Sequence, residues 1–325
     1  IITKKGDGYS EENTWRVGAR VQEESMGKEY DFFKDKGLHN ESIDLGFNHK
    51  SGLFVNGGYT RNNHGGWQGD LTGREKRWHP KDQALMNGMF GFQNRNMNVW
   101  YRLDFLDEKI FGPNNGSELQ PEKVSDKDFL TKRYTHQLQS DWKLDNRLDV
   151  HAALSYQDYK RRTRTTESDL STGEKWLSSA EASQDITQYK AWIARATVAW
   201  NIAPEFSVQP GVEYQWTQGE GGRIDGTPKV SDLAFFLSAE YKPWEWLSLR
   251  PGVRTFIVAD YDAPIAIPSV LTKFKLTKHM DLRLSYAYGF RSPTLQELYF
   301  SFHNDNHDID GNPDLKAEYS HNITG

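Results

Sequence analysis

The sequence predicts an all-β fold, a transmembrane antiparallel β-barrel with about 14 strands present. Three observations carry that expectation. Hydrophobicity runs with a period of two in stretch after stretch. Several alternating runs last about ten residues, where strands of soluble sheets average ~5–6. Short turns and long polar connections take turns along the whole chain, the asymmetry expected of outer-membrane barrels.

The composition fits that frame. The chain has 325 residues, a net charge of -5 and 36% hydrophobic residues, with a mean hydropathy of -0.79. No run approaches the ~18 apolar residues that a membrane helix needs, which excludes a helical membrane protein. Yet 17 Phe, 15 Tyr and 11 Trp make 13% of the residues, too many for a disordered chain. The slightly acidic balance points away from nucleic acid as a partner. Cysteine is absent, so there is neither a disulfide nor a thiolate site.

The strands can be taken in order. Trp15–Val21, Ile43–Phe47, Leu53–Tyr59, Met97–Phe105 and Tyr134–Leu144 alternate weakly. Leu148 to Tyr156 alternates cleanly, followed by Trp192–Trp200 and the strong run from Phe206 to Trp216. Phe235–Tyr241, Leu247–Ala259 and Leu282 to Phe290 complete the series. Short turns fall near 50–51, 94–95, 145–146, 201–205, 243–245 and 278–280. Long outer loops are expected near 27–40, 62–81, 107–130, 161–187, 218–230 and 291–316, with 261–265 of middling length.

The polar parity carries charge in mid-strand, at Arg102, Asp104, Arg195, Glu213, Arg250 and Arg254. A wet lumen accommodates such residues, while the apolar parity meets lipid. Trp15, Trp142, Trp192, Trp200, Trp216, Trp244 and Trp246 are expected in the interfacial girdles.

Catalytic signatures are missing: there is no HExxH, GxSxG or GxxxxGK[ST]. The residues Asn306, Asp308, Asp310 and Gly311 match the start of a calcium loop, but the bidentate Glu should fall at Ala317, and Glu318 is one residue late. His303 and His307 lie in the same loop.

The segment from Tyr286 to Tyr299, with Phe290-Arg291-Ser292-Pro293-Thr294 and Glu297-Leu298-Tyr299, is followed by Gly311-Asn312-Pro313-Asp314-Leu315 and Glu318-Tyr319-Ser320. Both halves resemble TonB-dependent outer-membrane receptors, in which an F-R-x-P-T…E-L-Y strand exit leads across an outer loop to G-N-P-x-L-x-x-E-x-S. The resemblance implies a barrel of about 22 strands with a plugged lumen. On it, residues 1–325 are a partial receptor barrel, strands 1 to 14, with the motif loop seventh among the outer loops. Roughly eight strands and the plug with its TonB-contacting box are expected elsewhere.

The resemblance also implies a non-enzymatic transporter of the bacterial outer membrane. It would capture a scarce nutrient, haem or another iron chelate, and import it through TonB; there is no intrinsic cofactor. A surface lipoprotein or haemophore is a further possible partner. Haem receptors of the family use a loop His as axial ligand between such motifs, which makes His303 and His307 candidates here, although Ser292 replaces the usual Ala. Phe290, Arg291, Pro293, Glu297, Tyr299, Gly311, Asn312, Pro313, Leu315 and Glu318 are read as family motif residues that position the loop. The alternatives are a passive porin-like barrel and a soluble carbohydrate-binding β protein.

Overall fold

A computed structural model describes residues 12–32, 36–180, 182–259, 263–304 and 307–325. One antiparallel meander dominates it. Its strands are β1 (Thr14–Glu24), β2 (Leu38–Asn48), β3 (Leu53–His64), β4 (Lys81–Gln93), β5 (Met97–Gly112), β6 (Lys123–Lys143) and β7 (Leu148–Asp169). After the short β8 (Lys175–Leu177) come β9 (Ile186–Ala203), β10 (Phe206–Glu220), β11 (Lys229–Trp244), β12 (Leu247–Ala259), β13 (Ile267–Thr277) and β14 (Met280–Arg291). A five-residue helix α1 (Leu295–Tyr299) and a hairpin of β15 (Ser301–Asn304) and β16 (His307–Asp310) precede the last strand, β17 (Glu318–Thr324).

Each long strand pairs with its neighbour in the chain, from β1 through β7 and β9 to β14, and then β17. β8 adds a small flap to β7, and β15–β16 form a sheet of their own. Fourteen strands therefore lie on the main path, and the motif loop is the seventh long connection, as the sequence predicts.

The apolar parity is not buried by protein. Trp15, Val17 and Val21 of β1 are 78%, 71% and 61% exposed, and Ile43, Leu45, Val55, Phe90, Leu138 and Leu154 continue that exposed face. The accessible surface is 21123 Å², against roughly 14,000 Å² for a compact protein of this mass. A sandwich would bury this face against a second sheet; here it is left for lipid.

Aromatic rings bound the apolar band. Near the short turns lie Trp15 against Phe47 at 4.4 Å and Trp244 stacked on Trp246 at 5.2 Å, with Trp142 and Trp200 at the same level of their strands. At the other edge Phe105 meets Tyr134 at 4.7 Å and Tyr156 meets Trp192 at 4.5 Å. Trp216 is the cross-strand partner of Trp192. Trp192 and Trp216 thus mark the edge of the band rather than the ends of their strands. About eight residues separate Trp192 from Trp200, roughly 26 Å of strand, or ~20 Å of height once tilted, close to the ~25 Å band of an outer-membrane barrel.

The strands continue beyond this edge. β6 has 21 residues and β7 has 22, about twice what a membrane crossing requires. The outer loops expected at 107–130 and 161–187 are correspondingly shorter: the connections are 113–122 and, carrying β8, 170–185. Past the outer belt both faces of the sheet are polar, so the period of two vanishes from the sequence while backbone pairing goes on. Cross-strand ion pairs support it there, Lys132 with Asp107 at 3.6 Å and Lys109 with Asp128 at 3.2 Å. The strand β4 likewise escapes the hydropathy pattern, because Asn87, Gly88 and Gly91 interrupt its alternation.

The expected lumenal charges are on the inner face and paired. Arg102 and Asp104 lie at 2.6 Å, and Arg250 and Glu240 at 3.1 Å. Glu213 takes Arg254 at 2.7 Å and Arg195 at 3.6 Å.

Candidate functional site: an outer vestibule and its anchored loop

The motif loop leaves β14 at Arg291 and is pinned immediately. Thr294 caps α1 through a capping box: its side chain accepts from the Glu297 backbone N–H at 3.2 Å, and Glu297 Oε2 accepts from the Thr294 N–H at 2.7 Å. The other oxygen of Glu297 accepts from Arg291 at 2.6 Å. Arg291 also reaches Glu318 at 3.3 Å, its register partner across β14 and β17. One guanidinium thus ties together the strand exit, the helix and the strand re-entry. Arg291 first, then the Thr294 N–H and hydroxyl, hold the Glu297 carboxyl down at about 2.

Leu295 and Leu298 turn inward and are buried, as is Pro293. Gly311 docks onto the end of α1, donating to the Phe300 carbonyl at 2.5 Å. A Cβ there would lie 2.7 Å from the Leu298 carbonyl group and the Phe300 nitrogen, so the close approach demands glycine. Asn312 donates its backbone N–H to the Glu297 carbonyl at 3.0 Å and accepts from the Asp314 N–H at 2.9 Å, and the Leu315 N–H returns to the Asn312 carbonyl. Pro313 lies exposed at the turn between them. Phe290 packs between Phe256 at 5.2 Å and Tyr319 at 6.0 Å. Tyr299 accepts at its carbonyl from the Asp225 N–H, which joins the motif loop to the 221–228 loop.

So anchored, the loop roofs a cavity of about 920 Å³ on the lumenal side, beyond the membrane band. Phe129 of β6, Tyr159 and Arg161 of β7 and Tyr189 of β9 form its floor. Arg223, Gln296, Phe302 and His303 enter from the loops. Arg161 lies over the Phe129 ring at 4.4 Å and Arg223 over the Phe302 ring at 4.3 Å. Gln296 donates to the Tyr189 hydroxyl at 2.9 Å. With Lys127 the wall carries three fixed cations against the carboxylate of Asp185, which is engaged by the Thr187 hydroxyl at 2.9 Å and the Gly222 N–H at 2.6 Å. A cationic, aromatic, open chamber of this kind can hold a bulky anion. The sequence nominated none of Tyr159, Arg161, Arg223 or Phe302, because they come together only through strand pairing and loop packing.

His303 stands at the edge of this cavity on the β15–β16 hairpin. Asp308 hydrogen-bonds its Nδ1, and Asp310 lies 3.1 Å from its Nε2. The hydrogen bond to Asp308, then the charge of Asp310, raise the His303 pKa above the ordinary histidine value. Ligand atoms of these three residues lie within 4.8 Å of one another, a metal-capable donor set among the described residues. With both nitrogens facing carboxylates the protonated form of the ring is favoured, and a metal or haem iron would have to compete with that proton. The side chain of His307, like Asn306 of the calcium-loop match, lies outside the described residues.

Residues 209–325 match the family model described as TonB dependent receptor-like, beta-barrel. The chain is similar in structure to the siderophore receptor PirA from Pseudomonas aeruginosa, with a TM-score of 0.69 at 12% identity over 99% of this chain and 53% of that one. The copper transporter OprC gives 0.67 at 12% identity, over 96% of this chain and 52% of that chain. The ferric yersiniabactin uptake receptor FyuA from Yersinia pestis gives 0.52 at 13% identity, over 86% and 49%. The chain spans about half the length of the solved structures it matches. No curated protein matches it. The stretch from β10 to β17 is thus matched by the barrel model of the TonB-dependent receptors, and the whole sheet is folded as the barrels of those outer-membrane receptors are.

Proposed function

We propose that the protein is an outer-membrane receptor that captures an anionic metal chelate, a ferric siderophore or haem, and passes it inward by TonB-driven transport, without chemical turnover. The observation that carries this reading is the outer vestibule, where Arg161 and Arg223 are each laid over an aromatic ring under a loop anchored by Arg291 and Glu297. Cations backed by aromatic faces attract large delocalised anions and hold them without a fixed set of hydrogen bonds. The cargoes of PirA, FyuA and OprC, siderophores and copper, support metal acquisition as the class. TonB would act through a plug domain, which occupies the lumen in receptors of this kind, and a surface lipoprotein or haemophore could deliver the cargo.

Within that class the cavity supports an anionic ferric chelate over axial haem ligation, since the carboxylates of Asp308 and Asp310 occupy both nitrogens of His303. His303 then contributes charge rather than coordination. Two measurements on the intact receptor separate the readings. Uptake of radioiron presented as an anionic chelate should fall at least about tenfold in an Arg161→Ala, Arg223→Ala double variant that still assembles; undiminished uptake would remove the vestibule from the pathway. Hemin should produce no Soret shift dependent on His303 and His307. A shift lost in the His303→Ala, His307→Ala double variant would establish haem as the cargo instead.

A further inference from the structure

Asp308 and Asp310, the acidic residues of the calcium-loop match, lie on a strand, β16, and not in an EF-hand loop. Strand alternation puts both on one face of the β15–β16 hairpin. Their register partners are His303 and Ser301, so the same face carries an imidazole and a hydroxyl. Phe302 and Ile309 are paired on the opposite face, where Phe302 meets Arg223 of the vestibule.

The face of His303 holds a compact donor set. Asp308 engages its Nδ1, Asp310 lies 3.1 Å from its Nε2, and the Ser301 hydroxyl lies 3.1 Å from the same nitrogen. One ligand atom from each of His303, Asp308 and Asp310 falls within 4.8 Å of the others. Ligands round a tetrahedral zinc ion at ~2.0–2.2 Å stand about 3.3–3.6 Å apart, so rotation of these side chains closes the set. All three are exposed, which gives an ion a path in and leaves water to complete its shell.

The carboxylates that oppose haem suit a bare cation. Haem iron offers this ring a single axial position, and a carboxylate at each nitrogen competes for it. A free divalent ion instead takes the carboxylates as ligands, and the two balance its charge while the imidazole is neutral. Calcium asks for about six to eight oxygens, whereas this face supplies a ring nitrogen and the bidentate Glu position is Ala317.

The hairpin also gains from a tie. It is a separate sheet of two four-residue strands, and such a pair is marginal in water. Its base is fixed by the Ser301 N–H on the Arg223 carbonyl at 3.1 Å and by Gly311 on Phe300. His303 and Asp308 face each other farther out, towards the turn.

We propose that His303, Asp308 and Asp310 bind a divalent transition cation of the zinc type, which staples β15 to β16 at the rim of the vestibule. One ring nitrogen forms the metal bond, and any proton it carried passes to solvent. The ion is a structural tie and not cargo, so the site does not depend on which chelate the vestibule takes.

The test uses the full-length receptor in detergent, stripped of metal by a chelator. Zinc is titrated against a chromophoric indicator in wild type and in an Asp308→Asn, Asp310→Asn variant, and hydrogen exchange of 301–310 is followed with and without zinc. Wild type should bind one zinc ion that the variant binds at least about tenfold more weakly. Excess calcium should not displace it, and zinc should slow exchange across the hairpin in wild type alone. If the double variant fails to assemble, His303→Gln replaces it. Equal zinc binding by wild type and variant would overturn the proposal, as would displacement by calcium, which marks an oxygen-only site. Zinc bound without slower exchange would remove the staple. Chelate uptake is read separately and decides the vestibule reading by itself.

Discussion

Arg254 on β12 reaches across the whole width of β11 to donate to Glu213 on β10, at 2.7 Å. The reach is diagonal: the register partner of Arg254 on β11 is Phe236, whereas that of Glu213 is Ala234, fully buried and small enough to leave the carboxylate open to the guanidinium. Arg195 closes the group from β9 at 3.6 Å, so three strands, β9, β10 and β12, supply one lumenal charge cluster. Arg254 also lies over the Phe256 ring and Arg195 over the Phe236 ring, which keeps both guanidinia flat against the wall.

Removing the carboxylate should therefore cost more than a surface ion pair. Glu213→Ala leaves two arginines facing each other on a partly buried wall and is expected to destabilise the barrel by about 1–3 kcal/mol. Urea unfolding of the receptor in lipid vesicles, followed by tryptophan fluorescence, measures it. An unchanged midpoint would mean that the cluster is solvated and without structural weight.

The two faces of β7 should answer oppositely to the same substitution. Leu154→Arg puts a charge in the apolar band and is expected to cost about 2–4 kcal/mol. Ser155→Arg, one residue away on the lumenal face and opposite Gln137 and Ile193, should cost less than about 1 kcal/mol. Refolding into bilayers of the two variants side by side decides the matter; comparable losses would contradict the assignment of lipid and lumen faces.

Gly311→Ala tests the loop anchor through the backbone. Its Cβ would meet main-chain atoms of Leu298 and Phe300, which cannot rotate aside, and the expected cost is about 1–3 kcal/mol, confined to the motif loop. Limited proteolysis should cut 292–317 faster in the variant while the barrel strands stay protected. Wild-type cleavage kinetics would show that the hairpin docks by other contacts.

Acid and base should loosen this loop at different places. Glu297 is held down at about 2, chiefly by Arg291, so its contribution is complete above the ordinary glutamate value of 4.5 and disappears as pH falls toward 2. His303 is raised, chiefly by Asp308, so its contribution is complete below the ordinary histidine value of 6.5 and is lost as pH climbs through the raised value. Hydrogen exchange, corrected for its intrinsic pH dependence, should show Ser301–Asp310 opening at alkaline pH while α1 stays closed. Asp308→Asn should abolish that difference; its persistence would separate the opening from His303.

How far the sequence reached depends on where water and lipid impose a pattern. Between the aromatic belts one face must be apolar and the other polar, so Phe206 to Trp216 and Leu282 to Phe290 declare themselves as strands, and Arg102, Glu213 and Arg254 as lumenal charges. Turns such as 94–96 and 278–279 are short enough to read directly, which placed the motif loop seventh. Above the belt both faces meet water, the alternation disappears, and β6 and β7 run eight and nine residues into the segments the sequence assigns to loops. The motif residues from Arg291 to Glu318 were legible as a group; their joining through one guanidinium was not.

By itself, then, the amino-acid sequence determined the antiparallel meander, its apolar and polar faces and the place of the motif loop among the long connections, because each follows from local periodicity and connection length. Only the tertiary structure decided which charges meet. Arg254 and Glu213 are 41 residues apart, and Arg161, Arg223 and Phe302 come from three separate segments. Their proximity depends on strand register and on the docking of Gly311 against α1, which no local pattern encodes.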